Sequence, residues 1–162
     1  MTDADEPVVH ALNAASVDAL SPLGLDRLQW LRSIAAHAAV VEVDGAVAAF
    51  VLTFAPGSAY DSANFGWFAR TYGDRFLYLD RIAVADQYRR RGIGGLVYRA
   101  VERAAIPFER LACEVYADPP NQASLDFHAA RGYVEVGRLQ QSSGKTCVML
   151  SKELSAAAEK SA

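Results

Sequence analysis

The sequence predicts an α/β protein of the α+β kind, with one central mixed β-sheet and helices on both faces. Three observations carry that prediction. Strand-like apolar runs alternate along the chain with stretches of helical spacing. Two of the runs, residues 39–43 and Ala46–Phe54, flank Asp44-Gly45, a strong short-range signal for a hairpin. A third, residues 76–84, leads through a glycine-rich turn straight into a helix. At 162 residues the chain suits one domain with a proper core, expected over residues 7–154. Residues 1–6 and 155–162 lack an apolar face and are expected to be disordered tails.

Taken in order, residues 8–12 read as a short first strand. Asn13 or Ser16 caps a helix over 17–20, which Ser21-Pro22 interrupts. Residues 23–38 form a second helix, with Leu25, Leu28, Leu31 and Ile34 near helical spacing. The hairpin follows, and Pro56-Gly57 ends it. Residues 58–74 show no clear period yet are aromatic, as expected of a functional connection or of a loop pinned by packing. After the strand at 76–84, the helix from Ile93 carries Leu96, Val97, Ala100, Val101 and Ala104, and Ile106-Pro107 ends it. Arg110–Tyr116 is a further strand, stopped by Asp118-Pro119-Pro120. Asn121 caps a helix to about Arg131, closed by Gly132. Residues 133–139 and 145–154 are the last two strands, joined by a polar turn.

The bulk properties exclude several classes. A net charge of −3 gives no electrostatic support for nucleic acid binding, so the arginines at 89–91 are a local feature. No apolar run approaches a membrane span, and the acidic start lacks a secretion signal. Cys113 and Cys147 sit in apolar strands and read as reduced core thiols of a cytoplasmic protein, with no metal site expected.

The chemistry begins at Arg89, Arg90, Arg91, Gly92, Ile93, Gly94 and Gly95. Glycines let backbone N–H groups approach a ligand, a helix N-terminus is partly positive, and arginine adds bidentate donors, so the turn suits a phosphate. A P-loop fails on spacing: Gly144-Lys145-Thr146 supplies its end, but position 139 is Leu where its first glycine belongs. A dinucleotide fingerprint fails too, since Val97 stands in the third glycine's place. The turn instead resembles motif A of the GNAT N-acetyltransferase superfamily, as Arg89-x-x-Gly92-x-Gly94 preceded by Ile82, Ala83 and Val84. A second motif resembles that family in register: Asn121-x-x-Ser124-x-x-Phe127-His128-x-x-x-Gly132-Tyr133, where five of six specified positions agree. The exception is His128, where the family usually has a tyrosine. The resemblance covers roughly residues 8–154 and points to a little-characterised bacterial branch.

The resemblance implies the GNAT acyl-CoA N-acyltransferase fold and transfer of an acetyl group from acetyl-CoA to an amine in a ternary complex. It implies that Ile82, Ala83 and Val84 pair with the pantetheine arm. The loop from Arg89 to Gly95 would hold the pyrophosphate, and Asn121 and Ser124 lie in the motif that contacts the arm. His128, standing in the place of the proton-donating tyrosine, either protonates the leaving thiolate as imidazolium or only binds the coenzyme or packs. An amine acceptor must lose a proton, and Asp80, Glu114 and Tyr78 are the candidates to help. Simple alternation puts Tyr78, Asp80 and Ile82 on one strand face. A carboxyl in so apolar a strand has a purpose or a partner, and for Asp80 that partner is Arg81, Arg110 or a loop N–H. Asn64, Trp67, Tyr72 and Tyr78 are candidate acceptor contacts. The competing function is a non-catalytic acyl-CoA-binding sensor or interaction module. A homodimer is common among such proteins.

Overall fold

The structure, a computed structural model, describes residues 1–16, 20–118 and 120–155. Six strands form one mixed sheet: β1 His37–Val43, β2 Ala46–Phe54, β3 Leu77–Val84, β4 Arg110–Tyr116, β5 Val134–Gln140 and β6 Thr146–Glu153, in the order β1-β2-β3-β4-β6-β5. Only β3 and β4 run parallel; the other neighbours are antiparallel. The β1–β2 hairpin turns on Asp44 and Gly45 at φ of 51° and 77°, the left-handed pair that a two-residue turn between twisted strands requires.

Among the described residues five α-helices cover the sheet: α1 Glu6–Ala14, α2 Leu25–Ile34, α3 Ala63–Tyr72, α4 Ile93–Ala105 and α5 Gln122–Ala130. On one face α1, α2 and α3 bury Val9, Leu12, Leu28, Leu31, Phe65 and Phe68 against Phe50, Phe54, Tyr78 and Met149. On the other, α4 packs Ile93, Val97, Tyr98 and Val101 against Val51, Leu77, Leu79 and Leu111, with Leu125 and Phe127 of α5 alongside. Each large apolar side chain so buried stabilises by roughly 1.5–3 kcal/mol, so packing rather than propensity fixes which stripe of α4 faces inward. That stripe omits Leu96, which is half exposed. No described helix is long and apolar enough to cross a membrane.

Several elements differ from the sequence expectation for physical reasons. Residues 8–12 lie in a helix, not a strand. Pro7 sits in the first turn of α1, where its fixed φ and missing N–H suit a helix, and Val9, Leu12 and Asn13 then share a buried face. The first residues are tied down: Thr2 N–H donates to the Asp5 carboxylate at 2.6 Å and the Met1 ammonium to the Ala38 carbonyl at 3.1 Å. The second helix stops at Ile34, and β1 already begins at His37. Residues 58–74 contain α3, which Ser62 caps by accepting the Phe65 N–H. The helix expected over 17–20 and the tail after Ser155 lie mostly outside the described residues.

One irregularity in β3 shapes the site. Leu52 pairs with Arg81 and Thr53 with Leu79, so Asp80 is an extra residue, a β-bulge. The expected alternation is therefore broken: Tyr78 packs with the α1–α3 cluster, whereas Ile82 packs with the α4 cluster. Beyond the bulge β3 also parts from β4, since the two strands pair only at Leu77↔Leu111 and Tyr78↔Ala112.

Candidate functional site

Where β3 and β4 part, a cavity of about 530 Å³ opens. Leu79, Asp80, Arg81 and Ile82 form one wall, and Cys113, Glu114, Val115 and Tyr116 the other. Tyr98 of α4 closes one side with Asn121, Ser124 and His128. Ser21 and Pro22 from the α1–α2 connection, with Arg27, Tyr60 and Asn64, close the opposite side.

The glycine loop stands at the end of the same β3–α4 unit. Gly92, the cap of α4, has φ of 81°, which glycine adopts at no steric cost. A Cβ on Gly94 would meet nothing within 4 Å, so the first turn of α4 presents an open surface. The leading N–H groups of a helix have no intrahelical acceptor and carry its positive dipole end. Arg89 is exposed, pairing with Asp86 at 3.1 Å, and Arg91 lies over the Tyr88 ring. The Arg99 and Arg131 guanidiniums approach Gly95, at 3.6 and 3.9 Å from where its Cβ would stand. Backbone donors, an open approach and several cations are what a pyrophosphate needs, so these residues fit that group.

A polar cluster occupies the other side, with Tyr78 and Arg81 buried and Tyr60, Asp80 and Glu114 half-buried at the cavity wall. Tyr60 donates to Asp80 Oδ1 at 2.7 Å, and Arg81 Nε donates to Asp80 Oδ2 at 3.1 Å. The Tyr78 hydroxyl lies 2.6 Å from Glu114 Oε2 and 3.5 Å from Asp80 Oδ1, joining the two carboxyls. Desolvation raises Asp80 above the ordinary carboxyl range, although Arg81 and the two phenols oppose it. Glu114 is pushed up to about 8, by desolvation first and by the Asp80 charge second. Arg81 opposes the rise at Asp80 by direct contact, whereas at Glu114 the opposing causes are the Tyr78 hydrogen bond first and Arg81 only last.

At the α4–α5 side, His128 is buried and boxed edge-to-face by Tyr98, Phe127 and Tyr133. Its Nδ1 lies 2.7 Å from the Ser124 carbonyl, which can only accept, so Nδ1 carries the hydrogen. Desolvation lowers His128 below the usual imidazole range, leaving it neutral. Nε2 therefore accepts, and Tyr98 Oη donates to it at 2.6 Å. Of the two roles the sequence left open for His128, the neutral, boxed ring favours binding or packing over an imidazolium donor, and the hydrogen between the two side chains sits on the Tyr98 phenol.

The cavity thus gathers Asn64, Asp80, Ile82, Glu114, Asn121, Ser124 and His128 from among the sequence candidates. Asn121 also caps α5 by accepting the Ser124 N–H at 3.2 Å. Tyr78 is wholly buried, and its hydroxyl serves the carboxyl pair. Ala83 and Val84 continue β3 toward the glycine loop. Trp67 and Tyr72 are not among the lining residues. Trp67 packs over Gly137, where a Cβ would stand 2.6 Å from the ring, and Tyr72 lies under the Arg110 guanidinium at 4.1 Å. Tyr60 and Tyr98 are site residues that sequence reasoning missed, whereas Arg81 is the partner of Asp80 that it offered first. Tyr60 stood in the aromatic stretch it flagged, while Tyr98 looked like any core position of an amphipathic helix.

Comparison with known proteins gives one picture. The profile of the Acetyltransferase (GNAT) family matches residues 7–133. No curated protein sequence matches. Among solved structures, Ard1 from Thermoplasma volcanium superposes with a TM-score of 0.76 at 16% identity, covering 95% of this chain and 94% of that one. Ribosomal-protein-alanine N-acetyltransferase from Brucella melitensis gives 0.63 at 26% identity, over 95% and 97% of the two chains. The structure of yncA from Salmonella typhimurium with its cofactor acetyl-CoA gives 0.68 at 16% identity, over 95% and 91%.

Proposed function

The chain belongs to the Acetyltransferase (GNAT) family and is an acyltransferase, and from that premise we propose that it moves the acetyl group of acetyl-CoA onto a primary amine of a small molecule or peptide. The observation that carries this reading is the splayed β3–β4 pair: it leaves a cavity with two carboxyls on one side and, on another, Tyr98 of α4, the helix that the glycine loop caps. Acetyl-CoA supplies a thioester whose carbonyl carbon accepts the amine.

In this reading the N–H groups from Arg90 to Gly95 hold the pyrophosphate, with the neighbouring arginines adding charge. The unpaired edge of β3 at Ile82, Ala83 and Val84 receives the pantetheine arm, flanked by Asn121 and Ser124. An N–H near Ile82 polarises the thioester carbonyl. Asp80 anchors the incoming ammonium, and the Asp80–Tyr78–Glu114 cluster takes up its proton, freeing the lone pair for direct attack. At the sulfur end the one Tyr98 O–H is already given to His128 Nε2, and the His128 Nδ1–H to the Ser124 carbonyl. Burial holds that phenol well above its ordinary range, so the pair shapes the wall beside the departing thiolate, which solvent protonates on release.

The test is thiol release from acetyl-CoA in the presence of a panel of amines. Amine-dependent release that is lost in Asp80→Asn supports the reading. Coenzyme A binding with no amine-dependent release across the panel overturns it, leaving an acyl-CoA sensor.

A further inference from the structure

Arg81 has more partners than an ion pair requires. It is one of the few buried charged side chains, and it uses most of its fork. Nε donates to Asp80 Oδ2 at 3.1 Å. Nη1 donates to Asn13 Oδ1 and to the Ser21 carbonyl, each at 2.8 Å, and Nη2 donates to Ser21 Oγ at 2.6 Å. Asn13 Nδ2 also donates to the Ser21 carbonyl, at 3.2 Å. One guanidinium thus joins β3, α1 and the connection after α1. Ser21 and Pro22 of that connection line the cavity on the side of Asp80.

The β-bulge makes this arrangement possible. In an unbroken strand Arg81 would face α4, away from α1. The extra residue at Asp80 instead pairs Arg81 with Leu52, whose side chain belongs to the α1–α3 face. A residue turned to this face by the bulge next to it, and whose fork is filled by α1 and the connection after it, is built to hold something in place.

We propose that Arg81 is a positioning residue for the acceptor, locking the Asp80 carboxylate and the Ser21–Pro22 wall of the cavity into a single unit. This rests on the acceptor amine entering beside Asp80. The titratable and charged groups that face Asp80 are Arg81 and Tyr78 of its own strand, Tyr60 from the segment before α3, and Glu114 of β4. From α1 and the loop after it come the uncharged Asn13 and Ser21. Arg81 is therefore the cation that opposes the desolvation of Asp80, and among the described residues it is the group that joins that carboxyl to Asn13 and Ser21.

Two halves of the lock can be cut separately. Arg81→Met removes both, so the Asp80 carboxyl, followed by carbon-13 NMR and assigned with Asp80→Asn, titrates at higher pH than in the wild type. The acceptor KM rises roughly ten-fold or more while the acetyl-CoA KM is unchanged. Arg81→Lys keeps the charge and recovers the Asp80 titration. Asn13→Ala and Ser21→Ala cut only the wall, raising the acceptor KM with the Asp80 titration unmoved. These last three variants carry the test should Arg81→Met not fold. The proposal is overturned if Arg81→Met folds and its Asp80 titration superimposes on the wild type, or if Asn13→Ala and Ser21→Ala leave the acceptor KM where it was. Failure of the wild type to acetylate any amine defeats the enzymatic reading alone, since the Asp80 titration is still read without turnover.

Discussion

Replacing Glu114 by Gln tests the carboxyl pair most sharply. Glu114 ionises at about 8 in the folded protein against an ordinary 4.5. The folded chain therefore keeps a proton through a window in which the unfolded chain has released it. The sign follows from linkage: stability associated with that proton is fully present below about 4.5 and is lost as pH rises toward about 8. At 1.36 kcal/mol per pH unit, that interval corresponds to roughly 5 kcal/mol. Gln has the same shape and no charge to desolvate, so the variant escapes the loss. Its stability relative to wild type should grow by about 1.4 kcal/mol per pH unit between roughly pH 5 and 8, then level off. Urea denaturation at a series of pH values reads this directly, since ΔG extrapolates linearly with denaturant. A difference that stays constant with pH would mean that Glu114 is ionised in the folded state, and the reasoning about Asp80, Arg81 and Glu114 would fail with it. The same variant should lack any rise of kcat/KM through pH 8 that the wild type shows.

Three further outcomes are expected. Gly92→Asp places a carboxylate, at a backbone angle costing a non-glycine residue about 1–2 kcal/mol, on the surface proposed to receive the pyrophosphate. Calorimetry should show coenzyme A binding abolished with circular dichroism unchanged, and retained affinity would refute the placement. Tyr98→Phe removes the donor to His128 Nε2 and should lower stability by about 1–3 kcal/mol in the same urea assay, because a buried acceptor is left unpaired. Gly137→Ala drives a methyl into the Trp67 ring and should cost about 1–3 kcal/mol, read as a lower thermal midpoint; an unchanged midpoint would show that Trp67 moves aside freely.

Much of the fold was legible because local chemistry and tertiary packing agree. Asp44-Gly45, the stripe of α4 and the Asn121 cap each state their structure within a few residues. Elements were misread where local signals compete. Val8-Val9 favours a strand until Pro7 is given weight as the first turn of a helix. Phe65, Phe68 and Tyr72 do recur at helical spacing after the Ser62 cap, yet Gly66 and poor helix formers between them hide α3. In the site, Asp80, Glu114, Asn121, Ser124 and His128 were legible as candidates, because a carboxyl in an apolar strand and a contiguous motif both stand out, and all five line the cavity. Tyr60 and Tyr98 were not, since they reach it from the segment before α3 and from α4 and act through partners distant in sequence.

The bulge at Asp80 shows why period-two reasoning fails where it matters most. Alternation along β3 assigns Ile82 to the face of Tyr78 and Arg81 to the opposite one, and a single inserted residue exchanges them. The exchange brings a guanidinium against a carboxyl of the cavity wall, where it opposes the desolvation that raises Asp80. Without it Asp80 would face Glu114 with no compensating cation, and burial would act on both unopposed by a direct ion pair. With it, Arg81 answers Asp80, while Glu114, one phenol away, is pushed up to about 8. A residue count in one strand thereby sets which acid of the pair has the cation.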